Sequence, residues 1–144
     1  MSNSCLIMQT IPYKIQQINT LQFAFFPDKF INGNSVQTNV SFNFGYSTSL
    51  DSIRCIASID FMQEEFLVLA TKVQCIFHIA PEGIEELKKE HKIPVGFLQY
   101  MATIVVGTVR GIIHAKTEGT VLNAIVLPPI NLTEIIKDDI LIEN

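Results

Sequence analysis

Cys75 and His78 come nearest, by type and spacing, to a metal-binding pair in this chain. A Cys-x-x-His pair supplies two ligands of a tetrahedral site, and a second pair must complete it. His91 and His114 stand too far off for metal-ligand spacing. On a strand, positions 75 and 78 have opposite parity and point to opposite faces. No metal is therefore expected. His114 reads as a polar group near a helix C-terminus, where the helix dipole favours it. Acid–base work would need a partner carboxylate or nucleophile, and none is locally apparent. Glu64-Glu65 reads as a solvated turn rather than a catalytic carboxylate pair. Arg110 reads as one side of a surface or intersubunit ion pair. The chain has neither a phosphate-cradling glycine loop nor a G-x-S-x-G elbow. The expectation is a protein with no catalytic residue and no cofactor, not an enzyme.

Composition narrows the class. The 144 residues suit one domain, expected over 1–144, with 1–12 flexible and 138–144 a short tail. Hydrophobic residues make up 48% and charged residues 17%, a low charged share. Such an apolar excess is buried between subunits or left exposed for a purpose. The net charge is −4, and the densest basic cluster is Lys88, Lys89 and Lys92. Nucleic-acid and anionic-membrane binding both need a cationic stripe, so neither is expected. Cys5, Cys55 and Cys75 are an odd number at irregular spacing, which reads as buried thiols in a reducing cytoplasm. The uncharged run Ile93 to Val109 holds Pro94, Gln99 and two glycines and is short for a membrane span. It reads as a buried helix.

The elements follow from period. Strands are expected over Lys14–Phe26, Val36–Tyr46, Ile53–Phe61 and Phe66–Ile79, and helices over Pro81–His91, from Pro94 onward and over Leu132–Lys137. Ile15 and Ile18 are out of step on the first strand, so a bulge near Gln17 is expected. In the first helix Glu85 and Lys89 are spaced for an i,i+4 pair. Val121 to Leu127 reads as extended, and Asn131 with Glu134 as a capping box. Strands followed by helices give an α+β fold: a four-stranded antiparallel meander with a long helix and a short C-terminal helix on one side. Val36, Val40, Phe42, Phe44 and Tyr46 share one face of the second strand, opposite Gln37, Asn39, Ser41, Asn43 and Gly45. Phe97 and Tyr100 lie on the long helix. For each aromatic alone, ordinary core is the simpler reading; together, ten Phe and three Tyr are an excess to be explained.

From about Tyr13 to Ile136 the chain resembles the SecB export chaperones. Tyr13-Lys14-Ile15-Gln16-Gln17-Ile18, then Phe23 and Pro27, is similar to that family's aromatic-x-Ile-Gln-Arg-Ile strand with its Phe-rich end and proline. Val40-Ser41-Phe42-Asn43-Phe44 resembles its Val-Lys-Leu-x-Leu strand, and Ile76-Phe77-His78-Ile79 its Gly-Ile-Phe-x-Ile strand end. Tyr100 stands where the long helix carries Pro-Tyr-Ala, and Leu127-Pro128-Pro129-Ile130-Asn131-Leu132 resembles Leu-x-Pro-Val-Asn-Phe. The resemblance implies ATP-independent holding of unfolded polypeptide in apolar grooves and self-association to a dimer or a dimer-of-dimers tetramer. It carries groove positions onto Val36, Val40, Phe42 and Phe44, with Tyr46 continuing the row and Phe97 and Tyr100 added by proximity.

Departures bear on partners. Where the export chaperones carry acidic residues for the SecA motor, this chain has Gln22, Phe26 and Ala70, and Thr117-Glu118-Gly119-Thr120 replaces a Gly-Gly-Phe-Pro loop. SecA binding is therefore not expected. One alternative is an adaptor dedicated to a single partner such as an antitoxin. Another is a hot-dog-like acyl-thioester enzyme, against which stands the lack of Asp or Glu in Ile93 to Val109, where that fold usually keeps its carboxylate.

Overall fold

Alternating apolar and polar residues build a sheet with one dry face, and the chain does this four times before its first helix. The computed structural model describes residues 11–143. Strands β1 (Tyr13–Phe25), β2 (Gln37–Tyr46), β3 (Ser52–Gln63) and β4 (Phe66–Ile79) form one antiparallel sheet. Helix α1 (Pro81–Glu90), the short strand β5 (Lys92–Ile93), the long helix α2 (Val95–Thr117), the one-turn helix α3 (Leu132–Ile135) and the short strand β6 (Ile140–Leu141) follow. The fold is α+β as expected, with the strand bounds within two residues of the pattern.

The order in the sheet is β1-β4-β3-β2. The meander thus covers β2, β3 and β4, and β1 pairs with β4 instead of β2. The connection over residues 26–36 makes this possible. It turns at Pro27–Lys29 and is pinned by the buried Gln63, whose Oε1 accepts from Ile31 N at 2.8 Å while its Nε2 donates to Ile31 O at 2.8 Å and Asn34 O at 3.3 Å. In β1 the register shifts between Ile15 and Gln17, the bulge expected there, and again between Thr20 and Gln22.

The dry face carries Ile53, Cys55, Ala57, Ile59 and Phe61 of β3 against Phe77, Cys75, Val73, Thr71 and Leu69 of β4, each pair in register and buried. Helix α2 lies over these two strands, burying Phe97, Leu98, Met101, Ala102, Val105, Val106, Val109 and Ile113. By length and composition it is apolar enough to cross a membrane, yet this buried face packs on the sheet. The other sheet face is polar, with Gln74 Nε2 donating to Asn19 Oδ1 at 3.2 Å. Cys55 and Cys75 are paired in register and free, and burial pushes the Cys55 thiol up to about 12. Cys5 lies outside the described residues.

Several local expectations change. Glu85 and Lys89 make no ion pair; among the described residues Lys92 pairs with Asp139, and His114 Nε2 lies 3.5 Å from Glu118 Oε1. Val121–Ala124 is a 3-10 turn capped by the Thr120 hydroxyl, not an extended stretch. Asn131 precedes α3, but its Oδ1 accepts from the Thr133 hydroxyl at 2.7 Å and the capping box does not form. Of the segment expected to be flexible, residues 1–10 lie outside the described residues and Ile11 is buried. The expected tail holds β6, paired with β5. Gly83 lets α1 close onto the sheet end: a Cβ there would meet Ile79 Cγ2 at 2.8 Å and Ile11 Cγ2 at 3.1 Å.

Thr71 is 2% exposed and its hydroxyl has no partner among the described residues. An unpaired buried hydroxyl costs about 1–3 kcal/mol, and Val keeps the shape without it. Thr71→Val is expected to stabilise the fold by about 1 kcal/mol in urea denaturation. A loss of stability on that change would mean that the hydroxyl has a partner.

Candidate functional site

On β2 the pattern reads true in space. Val40, Phe42, Phe44 and Tyr46 stand in register with Ile59, Ala57, Cys55 and Ile53, on the face that carries the core. They are only half-buried, while Gln37, Asn39, Ser41 and Asn43 are exposed on the other face. Half-burial follows from the placing of α2 over β3 and β4, one strand away. Val36, just before β2, lines a concavity with Phe30, Phe61 and Ile125.

Phe97 and Tyr100 do not join this row. Phe97 is 0% exposed, and its ring meets that of Tyr13 edge-on with centroids 6.0 Å apart. Tyr100 is 50% exposed and accepts from the Tyr13 hydroxyl at 3.0 Å. Burial, with help from Tyr100, pushes the Tyr13 phenol up to about 12. Tyr13 begins β1, at the sheet edge opposite β2, so Tyr100 belongs to the far flank of α2.

That flank is a second apolar tract. Ile15 and Ile18 stand in register with Phe77 and Cys75 on the dry face, yet they are 43% and 49% exposed. At helical spacing of four, Tyr100, Ile104, Thr108, Ile112 and Lys116 run beside β1. The row starts at Tyr13 and ends with the Lys116 ammonium 5.5 Å from the Phe23 ring centroid. No charge interrupts it before Lys116. The bulge between Ile15 and Gln17 was the signal for this tract, since it turns Ile15 and Ile18 to one face.

The β2 flank of α2 meets the segment after Leu127. Arg110 makes no ion pair among the described residues; its Nε donates to Leu127 O at 3.2 Å and a terminal nitrogen to Pro128 O at 3.3 Å. Gln99 Nε2 donates to Ile136 O at 2.9 Å. A carboxylate does stand at the start of α2, supplied from far along the chain by Asp139. Its Oδ1 accepts from Val95 N at 2.7 Å and its Oδ2 lies 3.3 Å from Lys92 Nζ. The backbone bond, then Lys92, holds this carboxyl below its usual range. These are the bonds of a helix cap, and Pro94 itself offers no side-chain cap. Sequence reading missed this contact because 44 residues separate its partners. Among the described residues no three of His, Cys, Asp and Glu gather as a metal set. The arrangement presents apolar area on both flanks of one helix.

No family model and no curated protein matches the chain. Among solved structures, it is similar to a SecB-like chaperone of Mycobacterium tuberculosis (Rv1957), in complex with a ChAD peptide from the HigA1 antitoxin. The TM-score is 0.50 at 12% sequence identity, over 83% of this chain and 91% of that one. The chain therefore has the SecB-like fold, one long helix laid on a four-stranded antiparallel sheet.

Proposed function

We propose that the protein is an ATP-independent holdase of the cytoplasm, a binding protein rather than a catalyst, that takes up non-native polypeptide along Val36, Val40, Phe42, Phe44 and Tyr46. The observation that carries this reading is the half-buried apolar row on β2, set in a fold shared with a chaperone. Side chains at period two offer area rather than a sequence code, and binding of that kind is promiscuous. The second tract, Ile15 and Ile18 with the α2 flank, takes a second copy, giving a dimer or tetramer. β1 is a 13-residue strand whose outer edge is unpaired among the described residues. A long apolar edge strand is an association site unless it is covered. Gln22 and Phe26 are exposed and uncharged, and Ala70 is buried, so the positions matched to the acidic docking surface offer no carboxylate to SecA.

A dedicated adaptor is the second reading, favoured by the antitoxin peptide bound to the similar chaperone. Suppression of aggregation of several unrelated reduced clients separates the two. A holdase slows them all at equimolar tetramer, and an adaptor slows none of them. Within the first reading, Phe42→Ser or Phe44→Ser is expected to weaken client binding by about 1–2 kcal/mol, roughly five- to thirtyfold, while Asn39→Ala and Asn43→Ala leave it unchanged. Melting temperatures taken in parallel separate lost binding from lost folding.

Self-association is checked by native mass spectrometry at micromolar concentration. Dimer or tetramer is expected for the wild type, and monomer for Ile15→Glu with Ile18→Glu. A wild type that is wholly monomeric ends this assignment of the β1 tract.

A further inference from the structure

Residues 128–143 run alongside β2. At one end Pro128 to Ile135 faces Thr38 and Val40 across an open concavity of about 500 Å³. At the other, Glu143 N reaches the Tyr46 hydroxyl at 3.5 Å. Phe42 and Phe44 lie between those ends. The segment's polar anchors are almost all on the other side, toward α2 and β5. They are Arg110 to Leu127 O and Pro128 O, Gln99 to Ile136 O, Asp139 to Val95 N and Lys92, the β5–β6 pair, and Ile142 N to His91 O at 3.0 Å. The segment has one helical turn and one two-residue strand of its own, and Ile135 and Leu141 are exposed. Segments with few local hydrogen bonds and open packing unfold before the core does.

We propose that residues 128–143 are a strap that closes the β2 row, latched at the start of α2 by Asp139, and that a client gains the row by displacing it. This rests on the holdase reading, whose client competes with the strap for one apolar face. Asp139 is the latch because a single carboxylate caps α2 and pairs with Lys92 at once. Its loss frees the segment beyond Ile136 and leaves the sheet and the α2 core packing in place. The strap sets affinity, since a site that must first open binds more weakly by the fraction of time it is open.

Hydrogen exchange read by mass spectrometry tests this on the full chain, with and without a reduced, unfolded client, for wild type, Asp139→Ala and Lys92→Ala. In Asp139→Ala, exchange over 128–143 is expected to rise about tenfold with the sheet still protected, and client affinity to rise severalfold. Lys92→Ala, which removes only the ion pair, gives a smaller change of the same sign. Client added to wild type speeds exchange at 128–143 and slows it at 37–46. Slowed exchange in both segments on client binding overturns the proposal, since the strap is then part of the grip. So does weaker client binding by Asp139→Ala with a faster strap. Should no client bind wild type or variant, the holdase reading fails and exchange alone judges the latch. Faster exchange at 128–143 with the sheet still protected in Asp139→Ala upholds it, and unchanged exchange overturns it.

Discussion

An α-helix with its side chains is about 10 Å across, while four paired strands span roughly 15–20 Å. In length the two layers match: 23 helical residues rise about 35 Å, and strands of 10–14 residues run about 33–46 Å. In width they do not. One helix covers two strands, and here these are the central pair, β3 and β4, which hold the fully buried Phe61 and Phe77. The dry faces of β1 and β2 are left at the margins. Everything distinctive in this molecule lies along those margins.

The two margins are treated differently. Beside β2, the chain returns after Leu127 and lays Ile130, Leu132, Ile140 and Ile142 against the core. Beside β1, among the described residues, it lays only the α2 flank, and Ile15 and Ile18 stay open. The returning segment also repairs α2. That helix opens on Pro94 and Val95 with no acid in its first turn, and its Val95 N–H is met by Asp139. A helix N-terminus left without such a partner exposes orphan donors and the positive end of its dipole. Cover and cap are thus one feature.

Much of this was legible in the sequence, and the limits have physical causes. The β2 row and the bounds of β4 follow from period two, and the bulge near Gln17 follows from Ile15 and Ile18 falling out of step. Periodicity says which residues share a face but not which strand lies next. Hence β1 was expected beside β2, whereas Gln63 and the 26–36 connection carry it to β4. The rotation of α2 was hidden for a related reason. A helix apolar on most sides carries no mark of which flank meets which strand, so Tyr100 was placed with β2 when it packs on Tyr13. Arg110 bonds to Leu127 O and Asp139 to Val95 N, backbone groups that no particular side chain marks in the sequence.

The open margin is small in energetic terms, and that restricts what can cover it. Burying the exposed half of Ile15 and Ile18 yields about 1 kcal/mol each, hence about 4 kcal/mol for a symmetric pair of copies. Association costs about 4–15 kcal/mol before any surplus appears as affinity. The β1 row alone therefore gives at best a weak dimer. A lasting one needs the solvent-facing side of α2 as well, where Thr103, Gly107 and Gly111 turn outward with open space around both glycines. Small residues there let a second helix approach closely, and Arg110 turns its guanidinium aside toward Leu127 O and Pro128 O. A face that lacks charge over so much of a solvent-facing helix is costly for a monomer to keep and inexpensive for an assembly to bury.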